Sequence, residues 1–143
     1  MLKLLPTQVP IFWESIKFAM SEVTNLTGEP LQKNLTRLLE NLLSEKSVCY
    51  IRLNKERKLE GIFVVRIYYN EFTGDKSLII DCMYSFKRCE DSDYVKMFDE
   101  FEELAKLCEC KYITTWTINP RVVELCNIVG LKETYKLFSK PIS

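Results

Sequence analysis

The chain has 143 residues, 47% of them hydrophobic and 28% charged, enough to bury about 68–70% of the unfolded surface around one core, which argues against disorder. Twenty basic side chains balance twenty acidic ones for a formal net charge of zero, so no overall basic field draws the protein to nucleic acid or to an anionic membrane. Histidine is absent, which excludes Ser-His-Asp triads, Cys-His dyads, paired-histidine zinc sites and histidine proton shuttles.

Leu2 to Leu5 is a short apolar run ended by Pro6 and reads as a strand; Phe12, Ile16, Ala19 and Val23 then recur at helical spacing. Gly28 interrupts the chain and Pro30 suits a first helical position. Leu31, Leu35, Leu38, Leu39, Leu42 and Leu43 follow as the clearest helical stripe. It covers less than two heptads, so packing on the protein's own sheet is the expectation rather than a zipper. Ser47 to Leu53 and Leu59 to Tyr69, joined by the charged turn Asn54 to Lys58, read as strands rich in β-branched and aromatic residues. After a turn at Gly74 and Asp75 comes a third such strand, Ser77 to Tyr84, completing an antiparallel meander. Val95, Phe98, Phe101, Ala105 and Cys108 mark a helix between that strand and the next, Lys111 to Thr117, which makes a parallel crossover. Pro120 opens a further helix with Val122, Leu125, Cys126 and Val129 on one face, Gly130 caps it, and Leu131 to about Phe138 reads as a last strand. The order β-α-α-β-β-β-α-β-α-β defines an α/β protein, one domain over residues 1–143 with a mixed sheet and helices on both faces.

The six cysteines contain no C-x-x-C pair and mostly lie in apolar runs, where a free thiol behaves as a small hydrophobe; they are expected to be reduced. Cys108 and Cys110 form a C-x-C, short of a four-ligand zinc site, so no metal is expected. Met1 to Pro10 lacks the apolar stretch of a signal peptide and no window has the length of a membrane span, which predicts a soluble, cytoplasmic protein.

That order of elements, with Asn119, Val122, Leu125 and Gly130 followed by Leu131, resembles the GNAT (Gcn5-related N-acetyltransferase) family and its Asn-x-x-Ala-x-x-Leu-Tyr-x-x-x-Gly-Phe segment. The chain is also similar to small acetyltransferase-like proteins of tailed bacteriophages, with an early tryptophan-bearing helix, a leucine-rich second helix and an Asn-anchored final helix. The resemblance implies acetyl-CoA as cofactor and a Gln/Arg-x-x-Gly-x-Gly/Ala loop whose backbone amides, at a helix N-terminus, hold its pyrophosphate. The corresponding stretch here, Lys87 to Tyr94, has no glycine and carries Glu90, Asp91 and Asp93, which repel a diphosphate. Lys87, Arg88, Ser92 and Asn119 are its candidate cofactor-binding residues. The acids have a second reading, with Ser92 or Asp93 as N-cap and early carboxylates suiting the helix dipole. Cys126 stands at the position where the resemblance implies a proton-donating tyrosine; a thiol is a poor substitute there, and its place on the apolar face with Val122 and Val129 reads as an inert core cysteine.

Asp81 interrupts the apolar run Leu78 to Met83. It is the candidate general base toward an amine, or else a carboxylate that faces solvent or pairs with a neighbouring cation. Tyr84, Trp116 and Asn119 fall near the carboxyl ends of predicted strands, where open α/β sheets bind ligands, and packing or capping explains them as well. Glu90 to Glu103 holds seven acids against Lys96 alone, which reads as a solvated helix face or a docking surface for a basic protein partner. Lys55, Arg57 and Lys58 are too few for nucleic acid. Two roles remain. One is a GNAT-like protein without efficient transfer and without a cofactor, acting as an interaction or structural component in the host cytoplasm or in a phage particle. The other is a divergent acetyl-CoA-dependent N-acyltransferase using Asp81.

Overall fold

Three stretches of β-branched and aromatic residues form the centre of the sheet: β2 (Val48–Leu53), β3 (Leu59–Tyr69) and β4 (Lys76–Ser85). They pair antiparallel in register Val48↔Val65 and Ile62↔Tyr84. The computed structural model describes residues 1–143. β1 (Leu2–Lys3) adds antiparallel to β2, and β5 (Tyr112–Thr114) pairs parallel with β4, giving the spatial order β1-β2-β3-β4-β5.

Successive β3 side chains point to opposite faces, and both faces are covered, so the run from Ile62 to Val65 is continuously apolar. Ile62 and Val64 join Ile16, Ala19 and Met20 of α1 (Val9–Thr24) and Leu35, Leu38 and Leu42 of α2 (Gly28–Leu43) in one cluster. Phe63 and Val65 join Met97, Phe98, Phe101 and Ala105 of α3 (Asp91–Leu107) in the other. The leucine stripe of α2 thus packs within the chain, as its short length predicts. α3 carries the crossover from β4 to β5, and α4 (Pro120–Ile128) packs beside it.

The pairing of β3 with β4 slips once: Val64 faces Cys82 and Val65 faces Ile80, leaving Asp81 as the extra residue of a β-bulge. All six cysteines are free, and no helix is long and apolar enough to cross a membrane.

The mixed α/β class and element order through α4 are those expected. Pro30 is the third residue of α2, not its first, because the helix begins at Gly28. The expected strand Leu131 to Phe138 is not formed. Gly130, at φ 87°, closes α4, with its amide on the Asn127 carbonyl (3.2 Å) and the Leu131 amide on Cys126 (2.8 Å). Leu131 packs on the α3 side of the sheet, and from Lys132 onward every side chain is exposed.

Candidate functional site

β4 and β5 share a ladder only at Ser77↔Tyr112, Leu78↔Ile113 and Ile79↔Thr114. The next link is a side chain: Thr115 Oγ1 donates to the Ile80 carbonyl at 3.0 Å. β4 then continues to Ser85 while Trp116, Thr117 and Ile118 leave the sheet, so the expected strand Lys111 to Thr117 is shorter than its sequence suggests. The backbone ladder thus ends at the carboxyl ends of a parallel pair, the position where open α/β sheets take their ligands.

Asp81 sits on the bulge where the two strands part. Its Oδ2 accepts from Arg66 Nε at 2.8 Å, and the Arg66 guanidinium carbon lies 5.9 Å from the centre of the Trp116 ring. The bulge therefore places the carboxylate next to the end of the β4–β5 ladder, and the expected alternative of a cationic neighbour is realised by Arg66. Arg66 was missed in the sequence, although it interrupts the apolar run of β3 as Asp81 interrupts that of β4. Tyr84 is not brought to Trp116. It packs among Phe18 of α1 (ring centres 5.8 Å apart) and Phe86 (5.0 Å), on the α1 side of the sheet.

The N-cap of α3 is Glu90, two residues before the expected Ser92. Its amide donates to Asp93 Oδ2 at 2.9 Å, so Asp93 is a third-position cap and not the first. Asp91 is paired with Arg121 at the start of α4, which also meets Glu124 at 3.1 Å. Lys87 is drawn toward β3, to Glu60 at 3.3 Å, whereas Arg88 and Ser92 are exposed. Asn119 is the N-cap of α4, its Oδ1 accepting the Arg121 amide at 2.9 Å. Cys126 is half-buried on α4, and burial pushes its thiol up, so at neutral pH it stays protonated and is no nucleophile.

Both donors and carboxylates meet at this helix start. The amides of Asp91 and Ser92 begin α3 and have no helical carbonyl to reach. Lys87, Arg88 and Arg121 stand among Glu90, Asp91 and Asp93, with Glu60 on Lys87 and Glu124 on Arg121, so carboxylates outnumber cations at this corner. Arg121 is the cation that the loop sequence conceals, because it comes from another helix. The missing glycines keep side chains, rather than bare backbone, around those amides.

An antiparallel meander feeding a single parallel crossover, in a five-stranded mixed sheet with four α-helices, is the fold of the GNAT acetyltransferases. No family model and no curated protein matches the sequence. Solved structures do match. A probable acetyltransferase aligns over 99% of this chain and 97% of its own, at 14% identity and a TM-score of 0.78. A predicted acetyltransferase from Clostridium acetobutylicum, solved with acetyl-CoA, aligns over 97% of this chain and 93% of its own, at 16% identity and 0.74. The aminoglycoside 6'-N-acetyltransferase from Acinetobacter baumannii aligns over 99% and 97%, at 11% identity and 0.70. At such identities the likeness is one of fold.

Proposed function

We propose that the protein is an acetyl-CoA-dependent N-acyltransferase of divergent sequence. The observation that carries this reading is the parting of β4 from β5 after Ile79 and Thr114, with Asp81 on a bulge at the point of separation. Acetyl-CoA supplies an activated thioester acyl group when bound. The Asp91 and Ser92 amides, with Arg88 and Arg121, hold its diphosphate in this reading, once Arg121 turns from Asp91. Asp81 Oδ1 or Oδ2 takes the proton of an acceptor amine, while Arg66 fixes the carboxylate in place. Cys126 is assigned no step. Water supplies the proton that the departing coenzyme A thiolate takes up as the amine nitrogen bonds the acetyl carbon and the thioester C–S bond breaks.

The test is a calorimetric titration of the protein with acetyl-CoA, followed by an assay of coenzyme A release with a panel of amines. Saturable binding and release are expected, with Asp81→Asn lowering kcat about 100-fold and leaving the dissociation constant of acetyl-CoA unchanged. Absence of binding at millimolar acetyl-CoA overturns the reading.

The acids around α3 favour a second reading. Glu90, Asp91 and Asp93 stand where a diphosphate would approach, and no glycine opens the backbone there. In this reading the chain keeps the fold, lacks efficient transfer and serves as an interaction or structural component. The acidic face of α3 then meets a basic protein partner, in the host cytoplasm or in a phage particle, as the likeness to small phage proteins implies. Failure of the titration, together with capture of one defined partner that Glu102→Lys and Glu103→Lys abolish, would support it.

A further inference from the structure

We propose that the acceptor of this protein is an α-amino acid with a large apolar or aromatic side chain, its amino group on Asp81, its carboxylate on Arg66 and its side chain against Trp116. This acceptor role rests on the acyl-transfer reading and adds to it the chemical class of the amine. Arg66, Ile79 and Thr114 form one row across β3, β4 and β5, the last rung of the parallel ladder. Asp81 stands on the bulge just past that rung, and Trp116 leaves the sheet on the same side of it along the chain. Alternation along β3 puts Arg66 and Tyr68 on the face of Val64, which α1 and α2 cover. At this end the cover stops: Tyr68 is 48% exposed and Trp116 50%.

The polar atoms left over define the ligand. Asp81 uses Oδ2 for Arg66 Nε, and its Oδ1 has no hydrogen-bond partner. Arg66 in turn uses only Nε; its two terminal nitrogens, the fork that takes a carboxylate end-on through parallel bonds, have none. Both side chains are partly open, Arg66 at 35% and Asp81 at 27%. A free carboxylate oxygen beside a free guanidinium fork matches an amino group and a carboxylate joined through one carbon. A simple amine leaves the fork empty, and an amine with a second cationic group beside the first sets that group against the guanidinium. The Trp116 ring centre lies 5.9 Å from the guanidinium carbon, and the exposed part of the ring offers an apolar surface to the side chain of the amino acid. In the reaction the ammonium first loses a proton to solvent. The nitrogen then bonds the acetyl carbon and yields its next proton to Asp81 Oδ1, while the thioester C–S bond breaks and the departing thiolate takes a proton from water.

The experiment compares phenylalanine with 2-phenylethylamine, which lacks only the carboxylate, and with alanine, which lacks only the ring, as acceptors for saturating acetyl-CoA. Coenzyme A release gives kcat/KM per free amine, and calorimetry gives acetyl-CoA binding separately. Phenylalanine is expected to exceed 2-phenylethylamine about 10- to 100-fold. Arg66→Gln is expected to lower both rates, because Asp81 loses its partner, and to bring their ratio to about one; an unaltered ratio overturns the assignment. Trp116→Ala is expected to reduce the preference for phenylalanine over alanine about fivefold. Its ring is half exposed, so the far-ultraviolet circular dichroism is expected to stay the same. An unaltered preference overturns the place given to Trp116. A protein that binds acetyl-CoA but leaves phenylalanine unreacted, or acetylates 2-phenylethylamine equally fast, overturns the amino acid as acceptor and leaves acyl transfer standing. Failure to bind acetyl-CoA overturns the acyl-transfer reading itself, and the acceptor with it.

Discussion

A Cβ added to Gly61 of β3 would stand 2.9 Å from Phe63 Cζ, 3.1 Å from its Cε2 and 3.3 Å from the Tyr84 carbonyl oxygen. The Phe63 ring cannot swing aside. It is 1% exposed and packed edge-on against Phe101, with ring centres 5.8 Å apart. Gly61→Ala is therefore expected to cost about 1–3 kcal/mol, read as a lower urea midpoint at unchanged slope. Burial acts on another β-strand residue through protonation. The Cys49 thiol is pushed up from 9.0 to about 12 by desolvation alone. Below pH 9 the thiol is neutral in both folded and unfolded chains and stability does not depend on it. Above pH 9 the unfolded chain releases the proton and the folded chain keeps it, so stability falls by about 1.4 kcal/mol per pH unit until about pH 12. Cys49→Ala is expected to flatten that alkaline loss in urea titrations at stepped pH. A Cys49 thiol in the native protein that reacted with a thiol reagent as fast as a free cysteine would contradict the burial argument.

The ends of α3 and α4 show two ways of closing a helix. Both carry paired bonds from the residues past the cap: the Cys110 amide on Ala105 at 2.8 Å with Glu109 on Lys106 at 3.0 Å, and Leu131 on Cys126 with Gly130 on Asn127. At α4 the left-handed position is Gly130; at α3 it is Glu109, at φ 58°. A side chain there is strained, and Glu109→Gly is expected to stabilise the protein by about 0.5–1 kcal/mol in thermal or urea unfolding. At the opening of α4, Asn119→Ala removes the acceptor of the Arg121 amide and is expected to cost about 1 kcal/mol, with Asn119→Asp restoring most of it. If Asn119 only caps the helix, Asn119→Asp leaves acetyl-CoA titrations unchanged. A Kd altered by Asp and restored by no other cap would give the residue a direct contact.

The same elements show what was legible in the sequence. The β2–β4 strands were read within a residue or two because they are β-branched runs buried on one or both faces, and α2 because its apolar spacing is periodic. The mixed sheet followed from that order. The short β5, the bulge and the unformed last strand were not legible, since each depends on a pairing partner far away in sequence. The candidate residues Asp81, with a cationic neighbour as one of its readings, and the α3 carboxylates are legible in the sequence, but which cations they meet is not. Arg66 meets Asp81 across a bulge and Arg121 meets Asp91 across thirty residues, and no local pattern records either meeting.

The sheet is the one layer that both clusters share, and it decides how the whole molecule unfolds. Ile62 and Val64 serve the α1–α2 side, Phe63 and Val65 the α3 side, and all four belong to one strand. Neither helical layer can leave without exposing alternate residues of the same backbone, so the two sides are expected to melt together. Both tryptophans report on one side only: Trp13 packs against the α1–α2 cluster, and Trp116 lies over Arg66. Phe101, fully buried, belongs to the other. Phe101→Ala is expected to cost about 3–5 kcal/mol through the cavity it leaves. If the sheet couples the layers, tryptophan fluorescence must record that entire loss although no tryptophan touches the site of change, and its urea midpoint must coincide with that of far-ultraviolet circular dichroism. A fluorescence midpoint that stays at the wild-type value while the dichroism midpoint falls would mean that the α3 layer melts separately and that β3 does not transmit its loss.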